Sequence, residues 1–106
     1  MNVQVTARRF RIHESLKEYA INEVKRLDKF FDGIIKAEVI LSYERARDSI
    51  KTAEITLHLN GKNVIAKEFS EDFKKSIDLA VAKLERQLSK VKTKLIDKKR
   101  SARKRT

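Results

Sequence analysis

Residues 55–69, which read ITLHLNGKNVIAKEF, carry the clearest structural pattern in the sequence. Apolar and polar residues alternate up to Leu59, which is the two-residue period of a strand with one buried face. Asn60-Gly61 then interrupts the pattern, and this pair is the strongest short-range hairpin signal because both positions accept a positive φ. Residues 63–69 are expected to return as the second strand. The stretch therefore predicts an antiparallel hairpin.

The same two-residue period recurs nearer the N-terminus, at residues 2–7 and again at residues 36–43. Between these strands, residues 14–31 place apolar side chains at intervals of three and four, which predicts a helix with one buried side. Asp32-Gly33 is expected to end this helix, because glycine tolerates the left-handed conformation found just past a helix terminus. The polar residues 45–49 are expected to form a loop before the hairpin.

A long final helix follows the hairpin. Ser70 is expected to cap it, and an apolar stripe then continues for about six turns through Phe73, Ile77, Leu84, Leu88, Val91 and Leu95. The order β-α-β-β-β-α predicts an α+β two-layer sandwich, in which a mostly antiparallel four-stranded sheet carries two helices on one face. This is the layout of double-stranded-RNA-binding domains. We expect one domain over residues 1–97 and a basic, disordered tail over residues 98–106.

The composition limits the classes of protein. The chain has 106 residues, the size of one domain, and no cysteine, which excludes disulfides and thiolate zinc sites. No apolar run reaches the roughly 18–20 residues that cross a bilayer, and the N-terminus lacks the apolar centre of a secretory signal. The sequence therefore predicts a small, soluble, cytoplasmic protein. Its formal net charge of +11 favours a polyanionic partner.

Most of the net positive charge lies in the final helix and the tail, where residues 83–106 contain 11 basic and 2 acidic side chains. At about 100° per residue, four basic side chains fall within an arc of roughly 80° beside the apolar stripe. We call these four the cationic ridge: Lys83, Arg86, Lys90 and Lys94. Ser76 and Gln87 are expected to add neutral hydrogen-bonding groups nearby, while Glu85 and Asp78 fall on the other flank. A solvated helix face is the alternative interpretation, but such faces usually mix both signs of charge.

Two smaller basic clusters are further candidates for binding RNA. Lys25, Arg26 and Lys29 lie on or near the exposed side of the first helix. Arg8 and Arg9 lie where the first strand ends. Both clusters are also compatible with an ordinary solvated surface.

Nothing in the sequence predicts an active site. His13 and His58 are the only histidines and belong to different elements, so neither is expected to bind metal or transfer protons. The glycine motifs that cradle phosphates are absent, and no serine has the context of a nucleophile. We therefore expect no enzyme activity, no cofactor, no metal and no small-molecule substrate.

Four segments of the sequence are distinctive: LDKFFD at residues 27–32, TLHLNG at residues 56–61, DFKKSID at residues 72–78, and KLERQLSK at residues 83–90 with Lys92 and Lys94 beyond it. They resemble the ribosome hibernation promoting factor and ribosome-associated inhibitor A family, and the match runs over about residues 2–95. The third is similar to the family's DMYxAID segment and the fourth to its KLxRQLxKxKxK signature. Phe73 stands where tyrosine is usual, and Glu23 stands where the first helix often has a basic residue. The chain resembles a short family member or the N-terminal domain of a long one.

The resemblance implies a noncatalytic, ribosome-associated protein that is monomeric when free. Members of this family lodge between the head and body of the small ribosomal subunit, over the decoding region, where they occupy the space of messenger and transfer RNA. By the same resemblance, contacts to small-subunit ribosomal RNA would come from Lys83, Arg86, Gln87, Lys90, Lys92 and Lys94. Two alternatives remain open from the residues: a general double-stranded RNA-binding module, and a protein-interaction subunit that uses the final helix as a zipper.

Overall fold

The computed structural model describes the backbone of residues 1–44 and 50–104 and the side chains of residues 1–43 and 50–92. The elements in chain order are β1 (Asn2–Arg8), α1 (Glu14–Lys25), α2 (Leu27–Phe30), β2 (Ile34–Glu44), β3 (Ile50–Leu59), β4 (Lys62–Ser70) and α3 (Phe73–Lys104). This arrangement confirms the predicted α+β fold. The loop predicted at residues 45–49 lies outside the described residues.

The four strands form one sheet in the order β1-β2-β3-β4. β1 pairs in parallel with β2, whereas the other two pairings are antiparallel, so the sheet is mostly antiparallel as predicted. β3 and β4 form the predicted hairpin, in which Leu59 pairs with Lys62 and Gly61 adopts a φ of +76°. The strand order places β4 at one edge of the sheet and β1 at the other.

Both α1 and α3 cover the same face of the sheet. Buried side chains alternate along each strand and therefore lie on this one face. Val39, Ile55 and Ala66 lie side by side across three strands in the register, and all three are buried. α3 packs against β3 and β4, whereas α1 packs against β1. The helices complete the core from above with buried residues such as Val24 and Leu84.

The first helix is shorter than predicted. The continuous helix expected over residues 14–31 is instead divided at Arg26 into α1 and the four-residue α2. At the break the Lys29 N–H donates to the Arg26 carbonyl at 3.2 Å, and the backbone becomes extended only at Phe31, where the path toward β2 begins. The apolar spacing gave no sign of this break because Leu27 remains fully buried beyond it.

The start of α3 also differs from the prediction. Asp72, rather than Ser70, caps the helix, since Asp72 Oδ1 accepts a hydrogen bond from the Lys74 N–H at 3.1 Å. Ser70 instead joins a buried network whose centre is Ser76, with 2.7 Å between the two hydroxyl oxygens. The Ser76 hydroxyl is completely buried and donates to the main-chain oxygen of Lys51 in β3 at 2.6 Å. The expectation that Ser76 adds a surface group beside the ridge is therefore wrong.

α3 continues to Lys104, so the boundary predicted between residues 97 and 98 falls inside this helix. The tail at residues 98–106 stays a prediction, since its side chains lie outside the described residues. Over the part of the chain that the structure describes, no helix combines the length and the apolar character needed to cross a membrane.

Candidate nucleic-acid interface

The cationic ridge lies along β4, the outer strand of the sheet. Lys83 is next to Glu68, and Gln87 is next to Ile65, so later residues of α3 meet earlier residues of β4. α3 therefore runs antiparallel to β4 and presents one flank to the free edge of that strand. The three ridge residues whose side chains are described, Lys83, Arg86 and Lys90, are all exposed. Lys94 lies outside the described side chains.

One acidic side chain reaches the ridge. The Lys83 ammonium lies 3.7 Å from Glu68 Oε1, and the two side chains are 51% and 31% exposed. Such a solvated pair contributes little to stability, but it lowers the local positive charge. Arg86 and Lys90 have no ion-pair partner among the described residues. Sequence reasoning placed Glu85 and Asp78 on the far flank and missed Glu68, which approaches from a strand.

Gln87 holds the helix against the strand edge. Its side-chain Nε2 donates a hydrogen bond to the main-chain oxygen of Ile65 at 3.1 Å. Ile65 lies in the middle of β4, where the outer strand of a sheet exposes unpaired main-chain groups. Gln87 therefore satisfies one of these groups and fixes the distance between α3 and β4, in addition to any contact that it makes with RNA.

A groove of about 380 Å³ opens where the ridge meets the start of β4. We call it the edge groove, and its lining residues are Lys62, Asn63, Val64, Ile65, Gln87, Lys90 and Val91. None of the described residues that line it carries a carboxylate, and its two lysines come from different elements. Sequence reasoning missed Lys62. The signal was present, because Lys62 shares its strand face with Val64 and Ala66, whose apolar side chains mark the face that the helices cover.

Lys92 does not belong to the ridge. Two residues along a helix are separated by about 200°, so Lys92 points away from Lys90 and toward the flank that carries Glu85. That flank faces α1 and α2, because Glu85 lines a surface depression together with Arg26 and Lys29. The family signature runs continuously in sequence, yet the helix distributes its cations over two flanks.

The cluster of Lys25, Arg26 and Lys29 therefore lies across α3 from the ridge. Arg26 is partly neutralised, because its Nη1 lies 3.2 Å from Glu23 Oε2. Lys25 and Lys29 are exposed. Like the edge groove, this cluster lies at the end of the sheet where β1 and β2 begin, since the Met1 amino group lies 3.5 Å from the Asp28 carboxylate in α2.

Arg8 and Arg9 lie at the opposite end of the sheet. Arg8 pairs with Ser42 near the end of β2, whereas Asn2 pairs with Lys36 near its start, about 20 Å away at 3.3 Å per residue. Arg9 has a φ of +67°, a left-handed conformation that is uncommon for a residue other than glycine. This turn precedes Phe10, whose ring stacks on Phe73 with 4.9 Å between the centroids. The predicted site residues thus form three separate surfaces.

Two carboxylates form hydrogen bonds that shift a pKa. The Tyr19 hydroxyl donates to Asp78 Oδ1 at 2.6 Å, and this hydrogen bond, aided by burial and the negative charge, raises the pKa of Tyr19 from 10.0 to about 12. On the open face of the sheet, a hydrogen bond from Lys36 and its positive charge lower the pKa of Glu38 below its ordinary value. His58 Nε2 lies 3.7 Å from the same carboxylate.

Among the residues the structure describes, no three potential ligands meet to hold a metal ion.

Comparison with known proteins assigns the family. The profile of the family described as sigma 54 modulation protein / S30EA ribosomal protein matches residues 3–96. The ribosome hibernation promoting factor of Azotobacter vinelandii is 34% identical over 103 residues, which cover 97% of this chain and 94% of the relative. The protein of the same name from Escherichia coli K12 is 34% identical over 95 residues, covering 90% and 97%.

A solved structure shows the same fold. A ribosomal subunit interface protein from Coxiella burnetii superposes with a TM-score of 0.77 at 28% identity, covering 88% of this chain and 99% of that one. The match in sequence spans the sheet, both packed helices and the ridge. The chain therefore belongs to the sigma 54 modulation protein / S30EA ribosomal protein family, as its sequence resemblance implied.

Proposed function

We propose that this protein is a ribosome hibernation factor that binds the small ribosomal subunit through the cationic ridge. Family membership and relatives that bear the name ribosome hibernation promoting factor support a ribosomal partner. The observation that carries the proposal is the ridge itself: Lys83, Arg86 and Lys90 are exposed on one flank of a helix, and Glu68 is the one described carboxylate that pairs with them.

The arrangement suits a structured RNA. A helix packed on a sheet holds its cations at fixed spacing, and Lys83 and Lys90 are about 10 Å apart along the axis. Contacts to phosphates position a protein without reading bases, and folded RNA is recognised largely through its shape. Lys25, Arg26, Lys29, Arg8 and Arg9 would add contacts from the other two surfaces. A protein bound in this way through several faces fits a cleft between two parts of the subunit.

The proposed mechanism is occupation rather than catalysis. Bound over the decoding region, between the head and the body, the domain takes the space that messenger and transfer RNA need. The ribosome is thereby kept inactive without any covalent step. This location follows from the resemblance to the family, and the exposed charge of the ridge supplies the affinity that it requires. Such a protein acts in the cytoplasm, on idle ribosomes.

The test is sedimentation with purified small ribosomal subunits. The variant Lys83→Glu, Arg86→Glu, Lys90→Glu is expected to lose cosedimentation while keeping its circular dichroism spectrum, because all three side chains are exposed. The matched control, Lys17→Glu, Lys67→Glu, Lys74→Glu, changes the net charge equally on surfaces away from the ridge and is expected to retain most of the binding. Equal losses in the two variants would contradict a specific role for the ridge. Excess messenger and transfer RNA should compete with the wild-type protein.

Salt dependence and a duplex competitor separate this proposal from general RNA binding. About six phosphate contacts give a log–log slope on the order of −5, and the neutral variant Lys83→Gln, Arg86→Gln, Lys90→Gln is expected to flatten it by about 2 to 3. A general double-stranded RNA-binding module would bind any duplex of about 16 base pairs as tightly as it binds the subunit. A strong preference for the subunit is therefore expected.

A further inference from the structure

α2 carries an exposed aromatic side chain. Phe31 is half-buried and packs against the core, whereas the neighbouring Phe30 is 37% exposed. Phe30 lines a surface depression of about 320 Å³, which we call the Phe30 depression; its lining residues are Arg26, Lys29, Phe30 and Glu85. Contacts to phosphates need only cations, so an exposed ring and a carboxylate beside these cations require another explanation.

The helical period directs the Phe30 side chain toward α3. Residues three or four positions apart share one flank of a helix, so Phe30 lies on the same flank as Glu23 and Arg26. Arg26 has a helical φ of −61° and ψ of −24°, which continue the period across the break between α1 and α2. Glu23 and Arg26 line a neighbouring depression together with Glu85 of α3, so this flank faces α3. The Phe30 ring therefore borders the space in front of Glu85.

The charged groups around the ring have different availabilities. Arg26 is held in place, because its Nη1 lies 3.4 and 3.2 Å from the two carboxylate oxygens of Glu23. Lys29 and Glu85 are both exposed and have no ion-pair partner among the described residues. Lys29 is thus available to a phosphate, whereas Glu85 accepts hydrogen bonds only. A ligand that fits has a flat ring, N–H donors on its edge and a phosphate.

We infer that the Phe30 depression binds one unpaired guanine of the RNA, with the base stacked on the Phe30 ring, its Watson–Crick edge on the Glu85 carboxylate and its phosphate on Lys29. Folded RNA presents unpaired bases in bulges and loops, where proteins stack them on aromatic side chains and bind their edges. This inference rests on the proposed function and deepens it, because it names a base that an otherwise charge-reading surface selects.

Guanine is the base whose edge matches a carboxylate. Its N1–H and N2–H point in the same direction, so both can donate to the two oxygens of Glu85, and hydrogen bonds to a charged acceptor are the strong ones. Uracil has one N–H between two carbonyl oxygens, and adenine and cytosine have an unprotonated ring nitrogen beside the amino group. Each of these three bases would bring a lone pair against the carboxylate.

A protein partner is the competing occupant, since exposed aromatic side chains and arginines also occur in protein interfaces. Such interfaces have a largely apolar centre that is depleted in charged residues. Of the described residues that line the depression, Phe30 is the one apolar side chain and the other three are charged. The formal net charge of +11 also favours a polyanion.

The experiment uses RNA hairpins with one common stem, either fully paired or with a single bulged nucleotide, and measures affinity by fluorescence anisotropy. Wild-type protein is expected to bind the hairpin with a bulged guanosine on the order of tenfold more tightly than the paired hairpin. Bulged adenosine, cytidine and uridine should gain less. Bulged inosine, which lacks the 2-amino group, should bind several-fold more weakly than guanosine.

Two variants separate the ring from the carboxylate. Phe30→Leu keeps an apolar side chain but removes the ring, so it should lose most of the gain for every bulge while leaving the paired hairpin unchanged. Phe69→Leu is its control, because Phe69 is 65% exposed on β4 and outside the depression. Glu85→Gln should remove the preference for guanosine over the other bulges, and Glu54→Gln, which removes the same charge elsewhere, should keep it.

The outcomes are separable from those of the proposed function. Equal affinity of wild-type protein for the paired hairpin and the bulged guanosine would overturn the site even if the protein cosediments with the small subunit. A gain that is equal for all four bulged bases, or that Phe30→Leu leaves intact, would also overturn it. Conversely, a guanosine preference that is lost in both Phe30→Leu and Glu85→Gln would support the site even if cosedimentation fails.

Discussion

The Lys83 ammonium lies 3.7 Å from the Glu68 carboxylate, so a cation of α3 and an anion of β4 share the surface that we propose to bind RNA. RNA has to compete with Glu68 for Lys83. Replacing Glu68 with glutamine removes this competitor and a negative charge that repels phosphate. We expect Glu68→Gln to bind the small subunit about two- to fivefold more tightly at an ionic strength of about 0.1 M, measured by cosedimentation.

Glu54→Gln is the control for this gain, because it removes the same charge from the open face of the sheet. At an ionic strength of about 0.1 M, screening confines such effects to roughly 10 Å. Its effect on binding should therefore be smaller. If Glu54→Gln strengthens binding as much as Glu68→Gln does, net charge explains the result and the Lys83–Glu68 pair does not.

The two ends of the sheet are expected to contribute independently to RNA binding. Arg8→Gln with Arg9→Gln removes two charges at one end, and Lys25→Gln with Lys29→Gln removes two at the other. Each double variant should flatten the salt slope of subunit binding by about 1.4 to 1.8. When the two are combined, their fold-changes in the binding constant should multiply, because the sites share no partners. A double variant with an unchanged slope would remove that cluster from the interface.

The Tyr19–Asp78 hydrogen bond links α1 to α3, and Tyr19→Phe removes it. We expect the free energy of unfolding to fall by about 1 kcal/mol near neutral pH, measured by urea denaturation. The folded protein raises the pKa of Tyr19 to about 12, above its unfolded value of 10.0. The stabilisation is therefore complete below pH 10 and is lost as the pH rises toward 12. The difference in stability between wild-type and Tyr19→Phe protein should shrink over that range; a constant difference would contradict the contact.

Glu38 should affect stability in the acid range instead. Its pKa is lowered in the folded protein by Lys36 and, secondarily, by His58. A lowered pKa gives stabilisation that is present above the unfolded pKa and is lost as the pH falls through the folded one. Glu38→Gln is therefore expected to lose stability near neutral pH and to show a flatter decline on acidification. Glu54→Gln again serves as the control on the same sheet face, and equal flattening in both variants would argue against the Lys36–Glu38 pair.

The sequence predicted the strands well because their burial alternates without interruption. It failed at Arg26 for a physical reason: Val24 and Leu27 both reach the core, so the three-residue spacing passes through the break unchanged. It also failed at Ser70 and Asp72, since either residue is a suitable cap. Only the buried network around Ser76, which depends on a residue of β3, decides between them.

The candidate site was predictable where it depends on one helix. Arg86 and Lys90 share a flank because of the helical period alone. Glu68 and Lys62 required the register of the hairpin and the side on which α3 packs, and these come from contacts between distant residues. The family resemblance grouped Lys92 with the ridge residues as a contact to RNA. The angle of about 100° between successive residues sets it on the other flank of α3.

The buried Ser76 also determines which flank of α3 faces outward. The bond from its buried hydroxyl to Lys51 fixes the helix about its own axis at a point roughly 10 Å along the axis from Lys83. A slip of one residue would rotate α3 by about 100°, which exceeds the arc of roughly 80° that the ridge occupies. The lysines would then leave the flank along β4, although the sequence of the helix would be unchanged. An uncharged residue outside the interface thus sets the direction of its electric field.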